Sequence, residues 1–223
     1  MFERVISLVG ESNFKKIQNT TVLVVGLGGV GGYAIESLVR SGIGNLILID
    51  HDTVDITNLN RQIISLQENI GRDKVAVCKE RMLSINPTCS IVTKKIFLDK
   101  NTINLLDNYH IDYIVDACDS VETKKLLIDY SLDKNIKLIA SMGTANKLDP
   151  TKLAVLDIRK TSYDPLAKIL RKYVMDKHTN KKIMVVSTTE SPIRKDCLSS
   201  LVYVPATAGL LCSNYLIRDI LES

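Results

Sequence analysis

The sequence predicts an α/β fold: a doubly wound, mostly parallel sheet with helices on both faces and a C-terminal extension that adds strands and helices. Three observations support this prediction. Between residues 21 and 140, short aliphatic runs alternate with helical patterns, which is the rhythm of βαβ units. A glycine-rich turn follows the first aliphatic run and opens the first helical pattern. After residue 140 the alternation gives way to turns, a polar stretch and a basic helix, which indicates an added segment.

The predicted strands are continuous aliphatic runs, the pattern of strands that are buried on both faces of a parallel sheet. They lie at residues 21–25, 46–50, 91–96, 113–117 and 137–140, with two more in the extension at 183–187 and 201–204. Open sheets of this kind bind their ligands beyond the carboxyl ends of the strands. Polar residues that follow the strands are therefore the first candidates for a functional site.

The predicted helices are recognised by apolar residues at helical spacing and by stop signals. Between the first two strands, Val30, Ala34 and Leu38 recur at this spacing, and Gly42 follows as a stop. Asn86-Pro87 ends a second pattern, because proline cannot continue a helix and restrains the residue before it. The helical patterns after the first lie at residues 69–84, 102–106, 165–176 and 207–221.

Composition narrows the class of protein. Hydrophobic residues make up 45% of the chain and charged residues 24%, which argues against a disordered or fibrous protein. The formal net charge of +4, with Lys and Arg crowded after residue 150, permits an anionic partner. The five cysteines form no C-x-x-C pair, which argues against structural zinc. No apolar stretch approaches about 18 residues, so we expect no membrane span and a cytoplasmic location.

A glycine-rich turn contains Gly26, Gly28, Gly29 and Gly31, directly after a predicted strand and at the start of a helix. This context is the one that a nucleotide-binding turn requires. Glycine permits a tight turn and close approach of the backbone to phosphate, and the helix N-terminus offers unpaired N–H donors. By itself such a Rossmann-like turn does not distinguish NAD, FAD and ATP, and a purely structural turn is the alternative.

A polar loop after the second predicted strand helps to decide which of NAD, FAD and ATP is the ligand. Asp50 ends that strand, where an acidic side chain can accept hydrogen bonds from ribose hydroxyls. Asp52, Asn58 and Arg61 follow. An arginine in this place can fork onto phosphate oxygens and neutralise charge that builds during displacement at phosphorus. A nicotinamide enzyme has no use for that group, so the loop favours ATP.

Two further positions carry charge that suits a nucleotide triphosphate. Lys74 begins the next helix and supplies a flexible positive charge. Asp116 and Asp119 follow a later strand, and one of these carboxylates could hold a magnesium ion that bridges ATP oxygens. A helix cap or a surface ion pair is the alternative for each residue taken singly.

Taken together, the glycine turn, Asp50, the run from Asn58 to Gln62, Lys74 and Asp116-x-x-Asp119 resemble the ThiF, MoeB and ubiquitin-activating family of adenylating enzymes. The resemblance implies an ATP-binding adenylating domain over residues 1–145, with ATP and Mg²⁺ bound, a carboxylate that attacks the α-phosphate, and pyrophosphate as the leaving group. It also implies that Arg61 and Asp119 are catalytic and that Asp119 holds the metal. The implied nucleotide-binding residues are Gly26, Gly28, Gly29, Gly31, Asp50, Asp52, Asn58, Arg61 and Lys74.

The extension, residues 146–223, resembles one branch of that family, the tRNA threonylcarbamoyladenosine dehydratases, through residues 149–172, 186–192 and 204–209. Members that activate sulfur carriers usually have C-x-x-C zinc pairs, which this chain lacks. The resemblance implies that the threonyl carboxylate of a modified tRNA is adenylated and that its own carbamoyl group closes a ring, with net loss of water. Because the nucleophile is tethered to the electrophile, this reaction needs no enzyme cysteine.

The same resemblance implies tRNA as partner. Arg159, Lys160, Arg171 and Lys172 are the predicted tRNA-binding residues, because they would supply phosphate contacts; a role in solubility is the alternative. The extension is expected to pack on the first domain, since no long linker separates them. Family members commonly form homodimers, which we expect here too. A sulfur-relay or redox protein is a further partner that the resemblance leaves open.

Other functions share the same glycine turn. The nearest alternative is an adenylyltransferase that activates the C-terminus of a ubiquitin-like sulfur-carrier protein. A nicotinamide-dependent oxidoreductase or a non-catalytic nucleotide sensor belongs to a different class. The placement of Arg61, Lys74 and Asp119 argues against both of these last two.

Overall fold

The computed structural model describes all 223 residues and contains one seven-stranded sheet with the strand order β3-β2-β1-β4-β5-β7-β6. All neighbouring strands are parallel except β6 and β7, which are antiparallel. The strands are β1 (Thr21–Val25), β2 (Asn45–Ile49), β3 (Ser90–Lys94), β4 (Tyr113–Asp116), β5 (Lys137–Ser141), β6 (Leu153–Asp157) and β7 (Met184–Thr188). The predicted fold class, a doubly wound and mostly parallel α/β sheet with an extension, is confirmed.

Seven α-helices accompany the sheet: α1 (Glu3–Val9), α2 (Glu11–Asn19), α3 (Gly31–Arg40), α4 (Lys74–Ile85), α5 (Val121–Asp133), α6 (Pro165–Lys177) and α7 (Tyr203–Glu222). The helix predicted at 69–84 begins later than expected, because Gly71 has a φ of 84° and turns the chain before α4. The short helix predicted at 102–106 is a 3-10 helix, Ile103–Asn108. Helices α1, α2 and α5 were not predicted.

The strand predicted at residues 201–204 is wrong, because these residues lead into α7. Val204 is fully buried and stands four residues before Ala208, which continues the apolar stripe of the helix through Cys212. The β-branched residues around Tyr203 favoured a strand, but this helical spacing was the better guide. Strand β6 was missed; it is an edge strand in which only Asp157 is buried.

The sheet separates two apolar clusters, one on each face. In β1, Val22 and Val24 point into the larger cluster, which also receives side chains from α2, α3, α4 and α7. Leu23 and Val25 point into the other, with α5 and α6. This alternation follows from the two-residue period of a strand. Because both faces are covered, the interior positions of the central strands are apolar, and polar residues such as Thr21 and Asp116 stand at the strand ends.

Helix α7 packs closely against α3. At Gly209 a side chain would overlap the carbonyl oxygen of Val30, so glycine permits this close approach. The packing brings Pro205, in the first turn of α7, to the glycine turn.

The extension thus shares one sheet and one core with the first part of the chain, while the domain boundary at residue 145 stays a prediction. None of the helices combines the length and the apolar character that a membrane span requires.

Candidate active site

A cavity of about 330 Å³ opens at the carboxyl ends of the parallel strands. Nearly all the residues predicted to bind the nucleotide line it, and so does Asp119; the exception is Gly31. The lining members of the predicted set are Gly26, Gly28, Gly29, Asp50, Asp52, Asn58, Arg61 and Lys74. The structure therefore brings together residues that span almost 100 positions of the sequence.

The glycine turn is built by close backbone contacts. Gly26 has a φ of 89°, in the left-handed region, and a side chain there would lie 2.7 Å from the carbonyl oxygen of Ala117. A side chain at Gly31 would overlap the carbonyl oxygen of Gly26. Gly31 thus lets α3 begin directly against the turn, which explains why it does not line the cavity.

Asp50 is buried and joins the turn to the end of β2. One carboxylate oxygen accepts a hydrogen bond from the backbone N–H of Leu27 at 2.6 Å, and the other accepts from the N–H of Asp52 at 2.8 Å. A carboxylate has about four lone-pair sites, so acceptor capacity remains for a ligand hydroxyl. Asp50 therefore shapes the turn in addition to facing the cavity.

Lys74 and Asp52 form an ion pair at the mouth of the cavity, with 2.8 Å between Nζ and Oδ2. Lys74 is buried, whereas half of the Asp52 side chain is exposed. Burial acts to raise the pKa of Asp52, but the hydrogen bond and charge of Lys74 outweigh it and lower the pKa overall. The pair holds the ammonium group in one place before any ligand arrives.

Arg61 lines the cavity from the turn that follows a 3-10 helix, Ile56–Asn58, which begins with a capping box between Asp55 and Asn58. Its Nη1 donates to the carbonyl oxygen of Thr57 at 2.8 Å and to Oδ1 of Asn60 at 2.9 Å. No carboxylate pairs with it. The guanidinium is thus held by neutral acceptors and keeps its full charge available for an anion.

A fully buried ion pair lies beneath the cavity. Lys124 donates from Nζ to Oδ1 of Asp116 at 2.9 Å and to the carbonyl oxygen of Ser141, also at 2.9 Å. Burial acts to lower the pKa of Lys124, but the charge of Asp116 outweighs it and raises the pKa overall. The same carboxylate oxygen accepts from the Cys118 thiol at 3.1 Å. Asp116 is therefore a structural residue, and it positions the turn that carries Asp119.

Two groups of carboxylates at the cavity could hold a metal: Asp119, which was predicted to do so, and the neighbouring Asp50 and Asp52, which were not. Asp119 lines the cavity and takes part in no ion pair. Asp50, His51 and Asp52 also bring their ligand atoms within 4.8 Å of one another. However, Asp50 already accepts two backbone hydrogen bonds, and Asp52 is paired with Lys74. Mg²⁺ prefers hard oxygen ligands, and Asp119 is the carboxylate whose oxygens are free to serve as such ligands.

A second cavity of about 920 Å³ lies beside the first, and Arg61 and Asp119 line both. Its other walls come from the chain after β5, the start of α6 and residues 192–200. The residues predicted to bind tRNA, Arg159, Lys160, Arg171 and Lys172, line neither cavity.

Two of those predicted tRNA-binding residues are engaged within the protein. Arg159 forms an ion pair with Asp157, with 2.6 Å between Nη2 and Oδ2. The guanidinium of Arg171 donates to the carbonyl oxygen and hydroxyl of Thr161. Lys160 and Lys172 are exposed. The structure thus does not bring the four side chains to the site.

Comparison with known proteins identifies the family. The ThiF family model matches residues 2–221. The chain belongs to the ThiF family. It is 38% identical to the tRNA threonylcarbamoyladenosine dehydratase of Bacillus subtilis, over 99% of this chain and 94% of that protein. It is 37% identical to the enzyme of the same name from Escherichia coli, over 92% of this chain and 76% of that protein.

A solved structure is also similar to this ThiF chain. It is the E. coli tRNA N6-threonylcarbamoyladenosine dehydratase in complex with ATP, with a TM-score of 0.94 and 33% identity. The similarity covers 99% of this chain and 93% of the E. coli chain. The extension is thus part of the shared fold.

Sequence reasoning missed several residues of this ThiF site. Ile96, Phe97 and Leu98 form an apolar wall of the first cavity, and Pro205 reaches it from α7. The apolar run of residues directly after β3 could have indicated this wall in the sequence. Pro205 had no such signal, because α7 was expected to begin later. Lys124 was also missed, because helix α5, which carries it, was not predicted.

Replacing Lys124 by methionine removes one partner of the buried pair and leaves the carboxylate of Asp116 uncompensated. We expect the free energy of unfolding to fall by about 3–5 kcal/mol. Urea denaturation measures this change. The neighbouring Lys125→Met substitution is the control, because Lys125 pairs with the exposed Glu122 and such pairs contribute little. Equal losses in the two variants would contradict the structural role of Lys124.

Proposed function

We propose that the chain is an ATP-dependent enzyme that dehydrates N6-threonylcarbamoyladenosine in tRNA by adenylating its carboxylate and closing a ring. The observation that carries this proposal is the junction of the two cavities, where Arg61 and Asp119 line both. A nucleotide in the smaller cavity and a carboxylate in the larger one would meet at these two residues. The names of the relatives with 37–38% identity supply the substrate.

The reaction has two steps. A carboxylate oxygen of the threonyl group attacks the α-phosphorus of ATP, and the bond from that phosphorus to the bridging oxygen of pyrophosphate breaks. The carbamoyl group then attacks the activated carbonyl carbon, loses its proton, and expels AMP as the ring closes. Holding both reacting groups in one molecule gives the second step a high effective molarity. The substrate loses the elements of water, and ATP becomes AMP and pyrophosphate.

The residues predicted to bind the nucleotide each have a role in the proposed ATP site. The glycine turn and the N-terminus of α3 suit the phosphates, because helix N-termini favour anions. Asp50 retains acceptor sites for ribose hydroxyls, and Phe97 with its apolar neighbours offers a surface for adenine. Lys74 and Arg61 supply positive charge, Arg61 to the α-phosphate as negative charge builds on it. Asp52 holds Lys74 in position, and Asn58 completes the predicted set by closing the capping box of the 3-10 helix that precedes Arg61.

Magnesium fits Asp119, whose carboxylate faces the cavity and has no cation as partner. When bound, the metal would neutralise charge on the phosphates of ATP. The Asp116–Lys124 pair would hold the turn that carries Asp119, so that its carboxylate stays on the nucleotide side.

The cysteine at this junction supports ring closure over a thioester route. Cys118 lines both cavities. Burial raises the pKa of its thiol, and the charge of Asp116 raises it further. The group therefore stays protonated near neutral pH, whereas a nucleophilic cysteine must be a thiolate. A tethered carbamoyl group does not require one.

The similarity in the extension favours tRNA over a ubiquitin-like carrier. The relative from B. subtilis aligns over 99% of this chain, so the likeness includes residues 146–223 as well as the adenylating part. We include in the proposal a cytoplasmic homodimer and tRNA contacts at Arg159, Lys160, Arg171 and Lys172. A sulfur-relay or redox protein partner stays a prediction.

Conversion of the modified tRNA tests the proposal directly. With ATP, magnesium and tRNA that carries threonylcarbamoyladenosine, we expect the nucleoside to lose the mass of one water while AMP and pyrophosphate form. Mass spectrometry of the digested nucleosides measures this change. Pyrophosphate exchange that responds to a sulfur-carrier protein and not to modified tRNA would support the alternative adenylyltransferase instead.

Arg61→Ala and Asp119→Ala should each lower the rate of AMP formation by about two or more orders of magnitude, because preorganised charge at phosphorus typically contributes that much. The rate is measured with saturating ATP and modified tRNA. Lys79→Ala, at a half-buried position of α4 that lines neither cavity, serves as the control for loss of a charge. Near-normal turnover in either active-site variant would count against the assignment of both cavities.

Arg171→Ala combined with Lys172→Ala should weaken tRNA binding and flatten its dependence on salt, because phosphate contacts release counterions. Titration of labelled tRNA at several salt concentrations measures both. An unchanged dissociation constant and slope would remove α6 from the proposed tRNA surface.

A further inference from the structure

The larger cavity is not needed to hold ATP, so its size and charge call for a second ligand. Its volume of about 920 Å³ compares with about 330 Å³ for the cavity assigned to ATP. Its floor is the chain that follows β5, and its outer wall is formed by residues 192–200, here named the cover segment. Because Arg61 and Asp119 also line it, a ligand in this cavity would touch the groups that face ATP.

We propose that this cavity receives the modified nucleotide of tRNA, turned out of its base stack, and that Arg194 and Lys195 of the cover segment bind the phosphates on either side of it. The proposal rests on the proposed function. An enzyme that acts on a base within a folded RNA needs the base out of its stack before the reacting atoms can be reached. Phosphate contacts then fix its register.

The charges around the cavity favour an anion. Arg61, Arg194 and Lys195 line it, and none of the three forms an ion pair with a carboxylate. Lys147 also lines the cavity, but Asp164 neutralises it at 2.8 Å in a pair that is almost fully buried. The free positive charges therefore stand at two places: the junction with the ATP cavity and the cover segment.

The cover segment is fixed to the floor of the cavity by Asn146, which has a φ of 59°. The Asn146 side-chain oxygen accepts from the N–H of Ser199, and the Asn146 N–H donates to the carbonyl oxygen of Ser199, both at 2.7 Å. The N–H of Ile193 donates to the carbonyl oxygen of Asn146 at 2.7 Å. These bonds enclose Arg194 and Lys195 between two anchored positions, so their backbone is held at the rim.

Asn60 connects the cover segment to the catalytic arginine. Its side-chain nitrogen donates to the carbonyl oxygen of Ser200 at 2.8 Å, while its oxygen accepts from Nη1 of Arg61 at 2.9 Å. The Asn60 side chain therefore sets the distance between the cover segment and the guanidinium of Arg61. Phosphates held by the segment would place the attached nucleoside, and hence its carboxylate, at a set distance from Arg61.

The test is a double variant, Arg194→Ala with Lys195→Ala, compared with Lys15→Ala and Lys16→Ala on the exposed side of α2. Both variants lose two positive charges, but only the first pair lines the cavity. Fluorescence anisotropy with tRNA that carries threonylcarbamoyladenosine measures binding at several salt concentrations. We expect the cavity variant to bind about tenfold more weakly and its salt slope to fall by about 1.4, the value for two single-strand contacts.

Two further readouts separate phosphate binding from folding and chemistry. Calorimetric titration with ATP should give the wild-type dissociation constant in both variants, which shows that the fold and the ATP cavity are intact. An RNA hairpin with 2-aminopurine beside the modified nucleotide should become brighter when wild-type protein unstacks it, and less so with the cavity variant. If wild-type protein leaves the 2-aminopurine fluorescence unchanged, the proposal that the base is extruded is wrong.

The outcomes distinguish this inference from the proposed function. If the wild-type protein dehydrates the tRNA but the cavity variant binds it with unchanged affinity and salt slope, the assignment of Arg194 and Lys195 is wrong. If the cavity variant loses affinity while the wild-type protein forms no dehydrated nucleoside, the phosphate site stands and the proposed reaction fails. Equal loss in the Lys15 and Lys16 control would also overturn the site, because the effect would then be one of net charge.

Discussion

The active-site edge of the sheet depends on the buried ion pair between Lys124 and Asp116. Lys124 donates both to the carboxylate at the end of β4 and to the carbonyl oxygen of Ser141 at the end of β5. A charge without a partner at this depth would be costly, so the two side chains hold each other and the strand ends in place. One carboxylate oxygen of Asp116 has no partner, which makes the arrangement dependent on Lys124. The Asp116–Lys124 pair therefore fixes the position of the turn that carries Cys118 and Asp119.

The cations around the ATP cavity are held in two different ways. Lys74 is buried and fixed by a carboxylate, Asp52, which offsets its desolvation. Arg61 is held by the carbonyl oxygen of Thr57 and the amide oxygen of Asn60, which leave its charge unneutralised. Electrostatic stabilisation is strongest from charges that are oriented in advance. In the proposed reaction, Arg61 is therefore the group suited to charge that develops at phosphorus, and Lys74 to the charge that ATP already carries.

The C-terminal extension completes the site instead of standing apart from it. Strand β7 pairs with β5, and α7 packs on α3 so that Pro205 reaches the glycine turn. The cover segment forms the outer wall of the larger cavity and contacts Asn60 through the carbonyl oxygen of Ser200. An adenylating domain without the extension would have an open edge here. The added segment thus gives this ThiF chain a second cavity beside the one assigned to ATP.

The sequence by itself determined the fold class and the position of the glycine turn, because these are local signals: aliphatic runs, and glycines directly after a strand. The nucleotide-binding set came from the resemblance to a family and stays a prediction. Residues such as Asp50, Arg61 and Asp119 could be placed at one edge because parallel strands all end there. Gly31 was assigned to the cavity on the motif alone, and the structure shows that its contact is with the Gly26 carbonyl instead.

Only the tertiary structure decided which charges are free and which are used internally. Lys124 resembles a solvent-facing residue in sequence, yet Asp116, eight positions earlier, makes its burial favourable. Arg159 and Arg171 belong to a basic run, but Asp157 and Thr161 hold their guanidinium groups. Nothing local in the sequence shows that the segment with Arg194 and Lys195 forms the wall of a cavity. Pairing between charges depends on distances through space, and the order of residues along the chain does not contain them.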